Sequence, residues 1–156
     1  MRYFDGISTP IGRLYLVASD SALVRVHFPH ESWDKTYMRN PNHPILLQAK
    51  RELREYFAGT RKSFSVPLGE EGTVFQKKAW EVLKKIPYGS TITYKEEAER
   101  IGNENTSRAV GNANAKNPLP IFIPCHRVIS SSGMLGGYSG GEAVKNFLLQ
   151  LEQLKK

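Results

Sequence analysis

TYKEEAERIGNENTSRAVGNANAKNPLPIFIPCHRV, residues 93–128, changes character twice along its length. It opens on Thr93-Tyr94-Lys95-Glu96, the form of a capping box: the threonine oxygen accepts the third amide of a helix while the glutamate reaches back to the cap. A short helix over 94–101 follows, and Gly102 ends it. After Asn103-Glu104-Asn105, a second short helix runs from near Thr106 to Ala115. Two short helices across a Gly-containing turn form a helix-turn-helix pattern, although many such pairs have no connection with DNA. Pro118, Pro120 and Pro124 then hold the chain extended and exclude a helix. Cys125 ends that rigid approach, with His126 and Arg127 directly after it.

The second helix is chemically unusual. Arg108 and Lys116 are its charges, with no acid between them, and Ala109, Gly111, Asn112, Ala113, Asn114 and Ala115 are all small. Gly111 costs about 1 kcal/mol relative to alanine inside a helix. Such a surface either packs closely on another helix or enters a narrow groove of nucleic acid. Readers of major-groove base edges present longer side chains, so the pattern favours shape-based, poorly sequence-specific binding in the minor groove. Cys125 also has two readings. A free cysteine is most often a small buried hydrophobe, but neighbouring cations lower a thiol from its usual pKa of about 8.5 and make it reactive. In an extended chain adjacent side chains point opposite ways, so His126 would need a bridging water to reach the sulfur. Residues 130–141 are rich in glycine, and either wrap a planar ligand with accessible amides or simply connect.

Outward from this stretch, a final helix spans 142–154 with Ala143, Phe147, Leu151 and Leu154 inside. Glu152 lies near its end, where it could orient His126. Thr73-Val74-Phe75-Gln76 is another capping box, opening a helix whose apolar stripe is Phe75, Ala79, Val82, Leu83 and Ile86, widened by Trp80 and stopped at Pro87-Tyr88-Gly89. The first third alternates. Leu14, Leu16 and Ala18 share one face, as do Val24, Val26 and Phe28, and with residues 2–8 they predict a three-stranded antiparallel meander. Residues 29–43 read as a loop. A helix over 44–58 places Leu46, Ala49, Leu53, Tyr56 and Phe57 on one side. The polar, turn-rich run 59–72 marks a domain boundary, giving an α+β chain divided into residues 1–68 and 69–156.

With 156 residues, 40% of them hydrophobic and 24% charged, the chain can build its core without staples. No stretch approaches the roughly 18 apolar residues of a membrane span, and Met1-Arg2-Tyr3-Phe4-Asp5-Gly6 lacks a signal peptide's apolar run. The expectation is a cytoplasmic protein with no membrane partner. A net charge of +7 suggests a polyanionic partner. The excess is spread over both halves, so it does not locate a binding face. A single cysteine excludes an internal disulfide and a cysteine-rich zinc site.

Ile123-Pro124-Cys125-His126-Arg127-Val128 resembles the active-site signature of the O6-alkylguanine-DNA alkyltransferases. The resemblance runs over nearly the whole chain in family order. It takes in Thr9-Pro10-Ile11-Gly12, Leu53-Arg54-Glu55-Tyr56-Phe57-Ala58-Gly59, Gly72-Thr73-Val74-Phe75-Gln76 with Trp80, Ile86-Pro87-Tyr88-Gly89 and Tyr138-Ser139-Gly140-Gly141. It implies an N-terminal ribonuclease H-like domain with a three-stranded antiparallel sheet and helices, then a mostly helical C-terminal domain that binds DNA and accepts the alkyl group. By resemblance the activity is that of a methylated-DNA–protein-cysteine S-methyltransferase, a stoichiometric repair protein working by direct damage reversal. Cys125 is its alkyl acceptor. His126 and Glu152 form a water-linked relay that deprotonates Cys125, and Asn117 braces the segment.

Arg108 enters the base stack in place of a flipped nucleotide, and Tyr94 crowds a phosphate and offers its hydroxyl to the base. Thr106, Ser107, Ala109, Gly111 and Asn112 belong to the DNA-contacting helix, and the backbone near Val128, Tyr138 and Ser139 reads the flipped base. The implied partner is double-stranded DNA carrying O6-methylguanine or O4-methylthymine, bound by a monomer through the minor groove. No cofactor or metal is implied, since the extra cysteines that support zinc in some relatives are absent. One departure stands out: Asn114 occupies a position where some relatives carry a large apolar residue.

Three other readings compete. A non-transferring damage sensor resembles this family but lacks the acceptor cysteine. A cysteine hydrolase usually places nucleophile and base on separate segments. A helix-turn-helix regulator would require tight binding to a particular undamaged sequence.

Overall fold

The computed structural model describes residues 1–34, 36–102, 107–131 and 138–156. The chain divides into two compact units, Met1–Glu71 and Gly72–Lys156. In the first, β1 (Tyr3–Thr9), β2 (Gly12–Ala18) and β3 (Leu23–His27) form the antiparallel meander. Gly12, at φ 105°, makes the tight turn between the first two strands. The expected inward positions are buried: Leu14, Leu16 and Ala18 on β2, and Val24, Val26 and Phe28 on and beside β3. Helix α1 (Pro44–Phe57) lies against this face with Leu46, Ala49, Leu53 and Tyr56 buried.

The sheet has a fourth member that the alternation did not reveal. β4 (Met38–Arg39) runs parallel to β1, making the order β3-β2-β1-β4. The amide of Met38 donates to the Arg2 carbonyl oxygen at 3.1 Å and that of Asn40 to the Phe4 carbonyl oxygen at 3.0 Å. Both of its residues are exposed. A two-residue strand has no side-chain period to read, and its side-chain tie to the sheet is the 3.3 Å ion pair of Arg39 Nε with Asp5 Oδ1 on β1. At the end of this unit the amide of Gly69 donates to the Leu23 carbonyl oxygen at 2.8 Å, tying the last turn to β3.

In the second unit, α2 (Val74–Lys84) and α3 (Tyr94–Ile101) each begin at a complete capping box, on Thr73 with Gln76 and on Thr93 with Glu96. Gly102 closes α3 in the left-handed conformation at φ 108°. Helix α4 (Ser107–Ala115) follows, and α2 packs on both members of the helix pair. Trp80 of α2 donates its indole N–H to the Ala113 carbonyl oxygen at 2.9 Å, which fixes α4 against the core. A two-stranded parallel ladder, β5 (Ile92–Thr93) with β6 (Val128–Ile129), joins the start of α3 to the residues just after Cys125.

Helix α5 (Glu142–Lys155) corrects the sequence reading. Its buried residues are Lys145, Leu148 and Glu152, whereas Ala143, Phe147 and Leu154 are exposed and Leu151 is half-buried. The helix turns a mixed polar face inward because both of its buried charged groups find partners there. Among the described residues, no helix is long and apolar enough to cross a membrane.

Candidate active site

The three prolines deliver the chain to Cys125, but not in the extended form expected. Cys125, His126 and Arg127 form a single 3-10 turn, and all three are buried. Pro124 stands just before the first helical residue, where its missing N–H and ring do no harm. Within the turn the Arg127 amide donates to the Pro124 carbonyl oxygen at 3.0 Å, and the Cys125 amide donates to that of Ile123 at 2.8 Å. Upstream, Asn117 Nδ2 donates to the Ile123 carbonyl oxygen at 2.8 Å, while its Oδ1 accepts from the Leu119 amide at 2.9 Å. These bonds brace a strained stretch, since Ile121 sits at φ 76°. A β-branched residue is rarely found there, at a cost of about 1–3 kcal/mol.

The turn changes what each side chain meets, because successive residues of a 3-10 helix diverge by about 120° rather than alternating. His126 Nε2 lies 2.6 Å from Glu152 Oε2. Arg127 grips the same carboxylate with Nε on Oε1 at 2.8 Å and Nη2 on Oε2 at 3.1 Å, and its Nη1 donates to the Ile86 carbonyl oxygen at 2.7 Å. Burial works to raise the pKa of Glu152, but the hydrogen bonds of His126 and Arg127 and the Arg127 charge outweigh it and bring the carboxyl down to about 2. An ionised carboxylate only accepts, so Nε2 carries the imidazole proton. Burial holds His126 below its usual pKa in spite of Glu152, which leaves it neutral. Its Nδ1 is therefore a basic lone pair, buried and without a hydrogen-bond partner among the described residues.

Cys125 departs from the expectation of a thiol acidified by its neighbours. Burial pushes it up to about 11, against the opposing influence of the Asn117 hydrogen bond and the Lys145 charge. Arg127, two residues on in the sequence, is engaged with Glu152 and Ile86. The cation that acts on the sulfur comes instead from α5. Lys145 is completely buried, donates to the Val128 carbonyl oxygen at 2.6 Å, and lies 5.8 Å from the centre of the Tyr94 ring. Tyr94 is held above the usual phenol pKa by burial, then by Cys125 and Glu97, so its hydroxyl keeps its proton and can donate. A protonated, buried thiol followed in the chain by a neutral imidazole is suited to proton transfer at the moment of attack rather than to a standing thiolate.

Cys125 opens into a cavity of about 630 Å³. Tyr94 lines it from α3. Ser107, Arg108, Gly111, Asn114 and Ala115 line it from α4, and Tyr138 and Ser139 from the segment before α5. Of the other sequence-derived site residues, Val128 is buried with its carbonyl engaged by Lys145. Ala109 and Asn112 are exposed on α4 outside the cavity lining, and Thr106 lies outside the described residues. Gly111 is not required by the protein's own packing, since a Cβ there would meet only Tyr94 Cε1, at an ordinary 4.0 Å.

Lys145, Glu97 and the lining role of Asn114 and Ala115 are absent from the sequence reading. Lys145 was within reach of it. Once Glu152 is placed inside, helical spacing puts Leu148 and Lys145 on the same face.

The chain matches two family models that together span most of its length. Residues 3–69 match the ribonuclease-like domain of 6-O-methylguanine DNA methyltransferase and residues 74–154 match its DNA-binding domain. It is 42% identical over 160 residues to the constitutive methylated-DNA–protein-cysteine methyltransferase of Bacillus subtilis, covering 99% of this chain and 97% of that one. It is 45% identical over 158 residues to the methylated-DNA–protein-cysteine methyltransferase of Methanosarcina acetivorans, covering 96% and 97%. The crystal structure of Mycobacterium tuberculosis OGT in complex with DNA superimposes with a TM-score of 0.93 at 40% identity, over 98% of this chain and 94% of that one. With the site built around its one cysteine and both domains matched in order, the chain belongs to the 6-O-methylguanine DNA methyltransferase family.

Proposed function

We propose that this protein repairs double-stranded DNA by moving the alkyl group of O6-methylguanine, and of O4-methylthymine, irreversibly to Cys125. The observation that carries this reading is the buried thiol opening into the cavity, followed directly in the chain by an imidazole anchored on an ionised carboxylate. A base inside a duplex cannot meet such a thiol, so it must flip out at a cost of a few kcal/mol, reduced for a poorly paired damaged base. Arg108, exposed on α4 at the cavity mouth, fills the vacated stack, while Tyr94 crowds the phosphate. The small exposed positions Ala109 and Asn112, with Gly111 and Ser107, allow α4 to lie in the minor groove.

In the transfer His126 Nδ1 takes the thiol proton through one bridging water, and Glu152 stabilises the imidazolium that forms. The sulfur–carbon bond forms as the carbon–oxygen bond breaks. The electron pair passes to the base, which is protonated with help from the Tyr94 hydroxyl. Asn117 keeps the segment rigid, and the backbone at Val128, Tyr138 and Ser139 reads the base edge. The product is a thioether that no neighbouring group hydrolyses, so each molecule acts once. The protein works as a monomer in the cytoplasm without a cofactor or metal.

Incubation with a duplex containing O6-methylguanine, followed by intact mass measurement and peptide mapping, tests this. One added methyl group on Cys125 with a one-to-one endpoint is the expected result. Multiple turnover, or binding without a mass gain, overturns it.

A further inference from the structure

Glu97 has no role in the transfer chemistry above, yet it lies completely buried on α3, one turn beyond Tyr94. Its Oε1 accepts from Asn114 Nδ2 at 2.7 Å, and Asn114 lines the cavity that holds Cys125. Its Oε2 is buried without a hydrogen-bond partner among the described residues, and so is Asn114 Oδ1. A carboxylate is stable in a protein interior only when paired or multiply hydrogen-bonded. Glu152 meets that condition in the same domain, with a guanidinium and an imidazole on it. Among the described residues, Glu97 has only the Asn114 amide.

The groups that act with Glu97 are Tyr94 on its own helix, Asn114 on α4 and Cys125 on the 3-10 turn. Lys145 of α5 acts on Cys125 and sits over the Tyr94 ring, but does not enter among the influences on Glu97. Burial raises the carboxyl to about 7, and the Asn114 hydrogen bond only partly offsets it. When ionised, Glu97 opposes a negative charge on both the sulfur and the phenol oxygen.

We propose that Glu97 is a positioning and tuning residue that sets the alkaline limit of Cys125 reactivity through its own proton. With the carboxyl neutral, the cavity accepts the negative charge that passes from sulfur to the leaving base. With it ionised, a second buried negative charge opposes thiolate formation and slows transfer. Glu97 makes and breaks no bond to the substrate in either state. The transfer itself rests on the function proposed above, whereas the effect on the thiol does not.

The test therefore measures two rates against pH. The first is alkylation of Cys125 by iodoacetamide in the protein alone, and the second is single-turnover methyl transfer from an O6-methylguanine duplex. Glu97→Gln should accelerate the iodoacetamide reaction roughly three- to tenfold at a pH of about 8.5, with the ratio falling towards one below a pH of about 6. Asn114→Leu, which removes the one bond to the carboxylate, should move the wild-type inflection to higher pH. A purely structural pair would not shift an inflection. Glu97→Leu, which needs no buried partner, repeats the comparison if the glutamine variant folds poorly. Superimposable iodoacetamide profiles for wild type and Glu97→Gln at matched thermal stability would overturn the proposal, as would a slower variant at alkaline pH. If the iodoacetamide effect is present and no methyl is gained from DNA, the tuning stands and the assigned substrate fails.

Discussion

Cys125 and Glu152 show how differently two residues of the candidate site are written in a sequence. Cys125 is legible because its neighbours are unusual: a lone thiol after spaced prolines and before His126-Arg127. Glu152 is legible only as an acid near the end of a helix. Its role in holding two side chains at once depends on the 3-10 turn, which aims His126 and Arg127 at the same carboxylate. Arg127 looked like a cation for the sulfur, and it serves the carboxylate instead. Replacing Glu152 with glutamine would leave the Arg127 guanidinium buried without a counter-charge. Such a loss costs about 3–5 kcal/mol, and urea denaturation should report that much lost stability. Glu152→Asp, which keeps the charge, should lose less. A glutamine variant within about 1 kcal/mol of wild type would show that the pair contributes little.

Among the elements, the helices with capping boxes are legible in the sequence because a cap is a local hydrogen-bond pattern spelled out in four residues. α5 departs from its apolar period because Phe147 and Leu154 face outward while Lys145 and Glu152 lie inward beside Leu148. Hydrophobic periodicity finds a buried face only when apolar contacts alone decide what is buried. α4 combines a glycine in its interior with room for a methyl group. Gly111→Ala should therefore stabilise the free protein by about 0.5–1 kcal/mol. If α4 docks on DNA as proposed, it should weaken binding to the duplex, since the added methyl would stand between helix and groove. Chemical denaturation and fluorescence anisotropy check the two halves separately, and unchanged DNA affinity would remove Gly111 from the interface.

For the whole molecule, two buried acids give stability opposite pH slopes. Glu152 titrates at about 2 when folded, below the ordinary 4.5. Its contribution is complete above that ordinary value and is lost as pH falls towards about 2. Glu97 titrates at about 7, above the same 4.5. The folded state then holds a proton that the unfolded state has released, so stability falls between those two values and levels off above about 7. Glu97→Leu should accordingly raise the melting temperature more at pH 8 than at pH 5, with both proteins followed by circular dichroism. Equal gains at the two values would mean that the carboxyl is not neutral in the folded protein.

By itself the sequence determined the antiparallel meander, the capped helices, the helix pair and the identity of the reactive cysteine. Each is carried by local periodicity, a cap or a run of prolines. Only the tertiary structure decided that Cys125 lies in a 3-10 turn, that Lys145 rather than Arg127 acts on its sulfur, and that Glu97 is enclosed beside the cavity with a single hydrogen bond among the described residues. Those outcomes depend on which distant groups share one enclosed space. The charge state of a buried residue follows from that company rather than from its neighbours along the chain.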